Sequence, residues 1–375
     1  MKWLFSIVLI SLFSSSIYTQ DVWIARDSVN GPGKSACTAF SIGLKGYIGF
    51  GVADNGYKRS LYAYDPITDD WDKMESLGGL AGGGLERVSP VSFVLNDKAY
   101  VGLGNGNNPY YNDFWEYDPV SNTWTQKADF GGTARRQAVA FAIDSVAYVG
   151  TGYDANGYKA DFWRYSPVEN SWTAIADFGG GVRKQAVGFA LGDKGYVGTG
   201  DDGGFTNDFW EYQPSNDTWI QKADFPGNPR YAATAVAAYP DALVGLGLDN
   251  SQEFMADMYR YDVQTDTWTQ LADFPGGARS NAVGFVIQQH AYIGCGYSSN
   301  GTYLDDFYEF LEDTKVSILS ERRTTMPWGL AGGGHAKPGS NFLDAEVLPG
   351  KCSFKAKQGQ LLTINTPGGG AWGES

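Results

Sequence analysis

The sequence predicts an all-β fold, a six-bladed β-propeller followed by a short glycine-rich β tail, and three observations carry that expectation. The first is self-similarity. The stretch DFWEYDPVSNTWTQKADFGGTARRQAVAFAIDSVAYV from Asp113 returns from Asp161 as DFWRYSPVENSWTAIADFGGGVRKQAVGFALGDKGYV, and again from Asp208. The second is the period: the repeats align on Trp23, Trp71, Trp124, Trp172, Trp219 and Trp268, spaced 48, 53, 48, 47 and 49 residues apart. Each unit holds four apolar runs of strand length, separated by Gly, Pro, Asn and Asp clusters. Four strands in roughly 50 residues is the arithmetic of one propeller blade. The third is composition. Fifty glycines and 15% aromatic residues in a chain of 375 suit many short strands joined by tight turns.

In chain order, residues 1–20 read as a secretory signal. Lys2 supplies a positive start, Trp3 to Phe13 an apolar stretch, and Ser14 to Thr19 a small or polar exit. That run is too short for a membrane anchor, and no later segment reaches the ~20 apolar residues a spanning helix needs. Export to the cell surface, periplasm or medium is the expectation. Residues 21–310 then form the propeller. Its last unit has three strands, around Arg279–Phe285, Ala291–Gly294 and Phe307–Phe310, and no Trp strand follows them. The missing strand stands at the other end, where Val22–Asp27 matches the "TWTQKAD" of the other repeats. The N-terminal strand is therefore expected to complete the sixth blade. Each blade has an apolar face that only its neighbour can cover, so the set must close into a ring.

Charge and cysteine content narrow the function classes. A net charge of −14 disfavours non-specific binding to nucleic acid. Cys37, Cys295 and Cys352 make no disulfide framework and read as free buried thiols.

The repeat resembles the kelch family over about residues 21–310. The resemblance is carried by the Tyr strand (Tyr100-Val101-Gly102), the Tyr-Asp-Pro turn (Tyr117-Asp118-Pro119) and the spaced Trp124. One departure stands out. The family's glycine doublet after the second strand is here Gly-x-Gly, as in Gly150-Thr151-Gly152 and Gly294-Cys295-Gly296. The resemblance implies a propeller that serves as an interaction module.

Aligning the repeats exposes three columns. A basic residue precedes each first strand: Lys34, Arg87, Arg135, Arg183, Arg230 and Arg279. An acid precedes the third strand in five repeats (Asp113, Asp161, Asp208, Asp257 and Asp306), with Ser60 in the remaining one. An aromatic residue stands three positions earlier: Tyr57, Tyr110, Tyr158, Phe205, Phe254 and Tyr303. In an up-and-down blade the loops bearing these columns emerge on one face, with the basic ring expected nearest the axis. Two readings follow. Guanidinium forks and aromatic platforms suit an anionic or sugar-like ligand, with an unidentified protein or glycan as partner. Alternatively, residues repeated in every blade brace the blades, because a ligand rarely has sixfold symmetry. Positions where the repeats differ (Glu86, Arg136, Lys184 and Tyr231) point to function more directly.

Catalytic signals are sparse. The copper-radical sugar oxidases share the kelch propeller, but their metal needs a His and Tyr cluster, and the propeller here has one histidine, His290, read as a partly exposed filler. No nucleophile elbow, phosphate loop or cofactor motif is present, and no cofactor is expected. The Gly82–Gly84 and Gly179–Gly181 runs read as blade corners. Loops such as Asp154-Ala155-Asn156-Gly157 and Asp201-Asp202-Gly203-Gly204 lack the closing Glu of a calcium loop and are explained by turn chemistry. A carbohydrate-active enzyme of epimerase or lyase type is the alternative to a binding module.

After Phe310 the period stops. Val316–Arg323, "PWGLAGGG" at Pro327–Gly334, "LPGK" at Leu348–Lys351 and "TPGGG" at Thr366–Gly370 look like the C-terminal end of the hydantoinase B and 5-oxoprolinase family, over about residues 315–375. The third reading, hydrolysis of the 5-oxoprolinase type, rests on this resemblance. The segment is expected either as a joined fragment or as a reused accessory piece, and nothing in it supplies a nucleotide or metal site.

Overall fold

The computed structural model describes residues 22–79, 85–106, 110–238, 240–311, 314–319, 340–344, 346–349, 351–356 and 362–365. The signal segment, the Gly82–Gly84 corner and the Pro327–Gly334 and Thr366–Gly370 motifs lie outside these residues. Trp23–Leu311 forms one compact unit, and the tail beyond residue 312 belongs to a second.

Six four-stranded sheets make up the first unit. Blade 3 is representative, with strands Val139–Ile143, Val146–Gly150, Phe162–Ser166 and Ser171–Ile175 in antiparallel succession. Blade 6 takes three strands from Val283–Ile287, His290–Gly294 and Phe307–Leu311, and its fourth is the N-terminal strand Val22–Arg26. The first strands of neighbouring blades touch all the way round, the sixth against the first, so the ring is closed.

Burial explains the strand compositions. First strands alternate buried and half-buried residues, with one face towards the axial channel. Second strands such as Val146–Gly150 are almost continuously buried, because neighbouring blades cover both faces. Their apolar runs follow from that position. Between blades the aromatic side chains interleave. Trp172 of blade 3 packs on Phe114 of blade 2 at 4.9 Å between ring centroids, and Trp219 of blade 4 on Phe162 of blade 3 at 5.0 Å.

A polar clamp repeats on the outer edge. The Tyr165 hydroxyl donates to Asn170 Oδ1 at 2.8 Å, and the same oxygen accepts the Ala128 N–H of blade 2 at 3.0 Å. Tyr117 with Asn122, Tyr212 with Asp217 and Tyr261 with Asp266 repeat the arrangement. The Trp indole then donates to the preceding blade's carbonyl, as from Trp71 to Asp27 at 3.0 Å and from Trp124 to Glu75 at 2.8 Å.

The Gly-x-Gly signature has a backbone cause. Thr151 and Gly152 both adopt positive φ, 58° and 97°. The turn aims the Gly152 N–H at the Arg183 carbonyl of the next blade, 2.6 Å away. A Cβ on Gly152 would lie 2.8 Å from the Arg136 carbonyl oxygen, and one on Gly150 would lie 2.1 Å from the Phe162 ring. Both positions exclude a side chain, for different reasons.

In the tail, Thr314–Leu319 pairs antiparallel with Lys351–Ala356, and Ser340–Leu343 pairs with Glu346–Leu348 and Leu362–Asn365. Cys37 and Cys295 are free and buried in one core cluster. The bonded contact with Cys37, together with burial, pushes the Cys295 thiol well up.

Candidate functional site

Isolated bridges Ser35 to Val52, Val88 to Asn105, Arg136 to Tyr153 and Lys184 to Asp201 tie the loop before each first strand to the loop after the second. Both loops therefore lie together, and the basic, acidic and aromatic columns all stand on them.

The basic residues are interior. Lys34, Arg87, Arg135, Arg183, Arg230 and Arg279 are at most 1% exposed. In five blades the guanidinium grips an aspartate of its own blade through two parallel bonds. These run from Arg87 to Asp113 (2.7 and 2.9 Å), Arg135 to Asp161 (2.7 and 2.8 Å) and Arg183 to Asp208 (2.6 and 3.0 Å). Arg230 to Asp257 and Arg279 to Asp306 each span 2.5 and 2.8 Å. A further N–H reaches the carbonyl that ends the second strand, such as Thr151 O at 3.0 Å from Arg135. An aromatic ring lies 4.6–5.3 Å from each guanidinium carbon. Burial pushes the Asp161 carboxyl up, but bonds from Arg135 and Trp163 outweigh it and hold the group below the usual carboxylate range. Asp208 follows suit, with Arg183 and Trp210 as its donors. In blade 1 the pair is replaced as a unit. Lys34 stands opposite Ser60 in the repeat, with its ammonium 4.3 Å from the centre of the Tyr62 ring.

The expectation that the basic ring lies nearest the axis is corrected. The channel cavities, of about 220 and 150 Å³, are lined by residues that begin the first strands, and no Lys or Arg is among them. The guanidiniums are instead held within their own blades by the aspartates.

What the loop surface presents is the aromatic column and the symmetry-breaking residues. Tyr57 is 38% exposed, and Tyr110, Tyr158, Phe205, Phe254 and Tyr303 are half-buried. Arg136 has its guanidinium carbon 5.9 Å from the Tyr110 ring, with Nη1 at 3.5 Å from Asn105 Oδ1. Lys184 lies 5.3 and 5.0 Å from the rings of Tyr153 and Tyr158 and pairs with Asp201 at 3.1 Å. Tyr231 packs on Phe205 at 4.5 Å. Burial raises the Tyr231 hydroxyl's pKa, and the nearby Lys184 charge opposes the rise. The result is a strip of two cations and five aromatic rings running across blades 2 to 5. Glu86 stands apart from it, 3.7 Å from Arg59.

The loop aspartates serve their own turns. Asp154 accepts the Asn156 N–H at 2.7 Å and pairs with Lys159 at 3.0 Å. Asp201 accepts the Gly203 N–H at 2.8 Å, and Asp249 accepts those of Ser251 and Glu253 at 2.9 and 3.0 Å.

Comparison with known proteins agrees with both halves of the chain. A solved structure of YjhT superposes with a TM-score of 0.64 at 16% identity, covering 75% of this chain and 95% of that one. The kelch repeat and BTB domain-containing protein 1 of camelpox virus is 31% identical over 71 residues. The hydantoinase B/oxoprolinase family model matches residues 293–375. The chain is a six-bladed β-propeller whose repeats are similar to kelch repeats, followed by a tail similar to hydantoinase B. The tail's likeness extends to 5-oxoprolinase 1 of Arabidopsis thaliana, 42% identical over 72 residues, and to 5-oxoprolinase of Dictyostelium discoideum, 38% over 71. Those alignments span 6% of either oxoprolinase, and 12% of the camelpox protein. The family match begins inside the sixth blade, on His290–Gly294, upstream of the residue 315 expected from the motifs.

The sequence pattern does not reveal one further ring within the propeller. Two residues beyond each basic position stand Ala36, Ser89, Gln137, Gln185, Ala232 and Asn281, all with φ between 49° and 59°. Each donates its N–H to the carbonyl of its counterpart in the preceding blade, at 2.8–3.4 Å, and Ala36 to Asn281 closes the circle. No one residue type or chemical class runs through this column, so alignment could not single it out.

His290 is also corrected. It is no filler: its Nδ1 lies 2.6 Å from Glu309 Oε1. Glu309 also accepts bonds from Tyr292 at 2.8 Å and from Arg26 Nε at 2.9 Å, so the closing strand is held by charge as well as by backbone.

Proposed function

We propose that the propeller is an exported binding module whose loop face takes an anionic or sugar-like ligand. The observation that carries this reading is the strip in which Arg136 and Lys184 stand among Tyr110, Tyr153, Tyr158, Phe205 and Tyr231. Cations over aromatic faces attract carboxylates, and the faces themselves stack on sugar rings. The strip breaks the sixfold symmetry, as a site for an asymmetric ligand must. Arg135 and Arg183 belong to the frame beneath it.

The test is a glycan array of neutral and carboxylated sugars, followed by calorimetric titration of any hit. Arg136→Ala with Lys184→Ala should weaken binding at least tenfold while thermal unfolding stays within a few degrees of the parent. A double variant that keeps every array signal would remove the strip from consideration. Export is checked separately by N-terminal sequencing of protein recovered outside the producing cell.

A further inference from the structure

The ring of left-handed residues forms the wall of the cavity of about 150 Å³ at the loop-face mouth of the channel. Non-glycine residues hold such a conformation only where the surroundings over-determine it, and here the closed circle of backbone bonds does so. Three of the six side chains are amides, at Gln137, Gln185 and Asn281. Gln185 Nε2 donates to Asn281 Oδ1 at 3.1 Å, spanning from blade 4 to blade 6 past the small Ala232. Gln137 Oε1 is shut away from solvent and has no hydrogen-bond partner among the described residues. An enclosed amide oxygen calls for a donor. Gln137 and Gln185 line the cavity, whereas Arg136 and Lys184, which directly precede them in the chain, do not.

We infer that the channel mouth is a subsite for a hydroxyl-bearing end of the ligand, with the half-buried Gln137 side chain, which lines the cavity, turning its Oε1 from the enclosed position to accept the hydroxyl proton. The Gln185–Asn281 pair fixes the opposite wall, and Arg136 and Lys184 take the ligand's anionic group at the rim. The ligand class is thereby a small carboxylate that also carries hydroxyls. At ~30 Å³ per water-sized group, the cavity holds about five such groups, enough for a hydroxylated terminus. This inference rests on the loop face being the binding face, and it adds the group that reads the hydroxyl.

Calorimetry with glucuronate, galacturonate and the hydroxyl-free cyclohexanecarboxylate tests it, on the full chain. Gln137→Leu removes the acceptor and leaves a shorter, apolar side chain. It should weaken both uronates tenfold or more and leave cyclohexanecarboxylate unchanged, whereas R136A/K184A should weaken all three. Gln137→Glu retains an acceptor, and although its added charge weakens all three carboxylates alike, the uronates should keep their parental margin over cyclohexanecarboxylate, which guards against a misfolded leucine variant. Uronate binding untouched by Q137L, with R136A/K184A still deficient, overturns the subsite and leaves the loop-face reading standing. Failure of the parent protein to bind either uronate overturns both. A crystal structure of the uronate complex with only water on Gln137 Oε1 likewise overturns the subsite.

Discussion

Arg135 shows how one residue type serves structure at a position that invites a binding interpretation. A guanidinium with no exposed surface gains by donating to both oxygens of Asp161 and to the Thr151 carbonyl. Removing one partner of a buried pair leaves the other's charge uncompensated, which costs about 3–5 kcal/mol when both are fully enclosed. Asp161 keeps 33% of its side chain exposed, so Arg135→Ala should fall near the lower end of that range. Arg135→Lys should recover little, because an ammonium cannot form the paired fork. Blade 1 agrees with this, having Ser60 as well as Lys34 in place of the pair. Denaturant unfolding of the two variants checks the prediction, and a stable R135K variant would contradict it.

The blade is the next scale, and its fourth strand carries the contrast that matters. The Trp71 indole donates to the Asp27 carbonyl at 3.0 Å, and its counterparts at Trp124, Trp172, Trp219 and Trp268 also donate across the seam. Trp23, on the strand that completes blade 6, packs on Phe274 and Phe310 at 5.0 and 4.9 Å, but its indole N–H is buried without a partner among the described residues. Exchanging Trp for Phe removes similar apolar area at both sites. Trp71→Phe also removes a hydrogen bond worth roughly 1 kcal/mol net and orphans a carbonyl, whereas Trp23→Phe removes an orphaned donor. The expected order is therefore W71F less stable than W23F by about 1 kcal/mol or more. Equal unfolding midpoints would show that the seam bonds contribute nothing.

At the scale of the whole molecule, ring closure has an electrostatic latch. Arg26 and Glu309 lie 283 residues apart in sequence, yet their side chains bond in the sixth blade. Burial pushes the Glu309 carboxyl up, but His290, Arg26 and Tyr292 more than offset this and bring it down to about 2 from an ordinary 4.5. The folded value lies below the unfolded one, so the latch stabilises fully above about pH 4.5. That contribution drains away as the pH falls towards 2. Glu309→Gln should flatten the acid side of the stability–pH curve relative to the parent protein, and Arg26→Ala should flatten it partly. Parallel curves for E309Q and parent between pH 5 and 2 would contradict this account.

The amino-acid sequence by itself determined the blades, their number and the strand that joins the ends. Those features follow from period, strand length and turn residues, which are local and repeat visibly. It also showed which columns are basic, acidic and aromatic. Only the tertiary structure decided that the basic column is occupied by the acidic one, because charge pairing across 25–27 residues depends on how two loops of a blade meet. The ring of Ala36, Ser89, Gln137, Gln185, Ala232 and Asn281 was equally out of reach. Its backbone circle exists only once six separated segments stand around one axis, and no side-chain pattern encodes it.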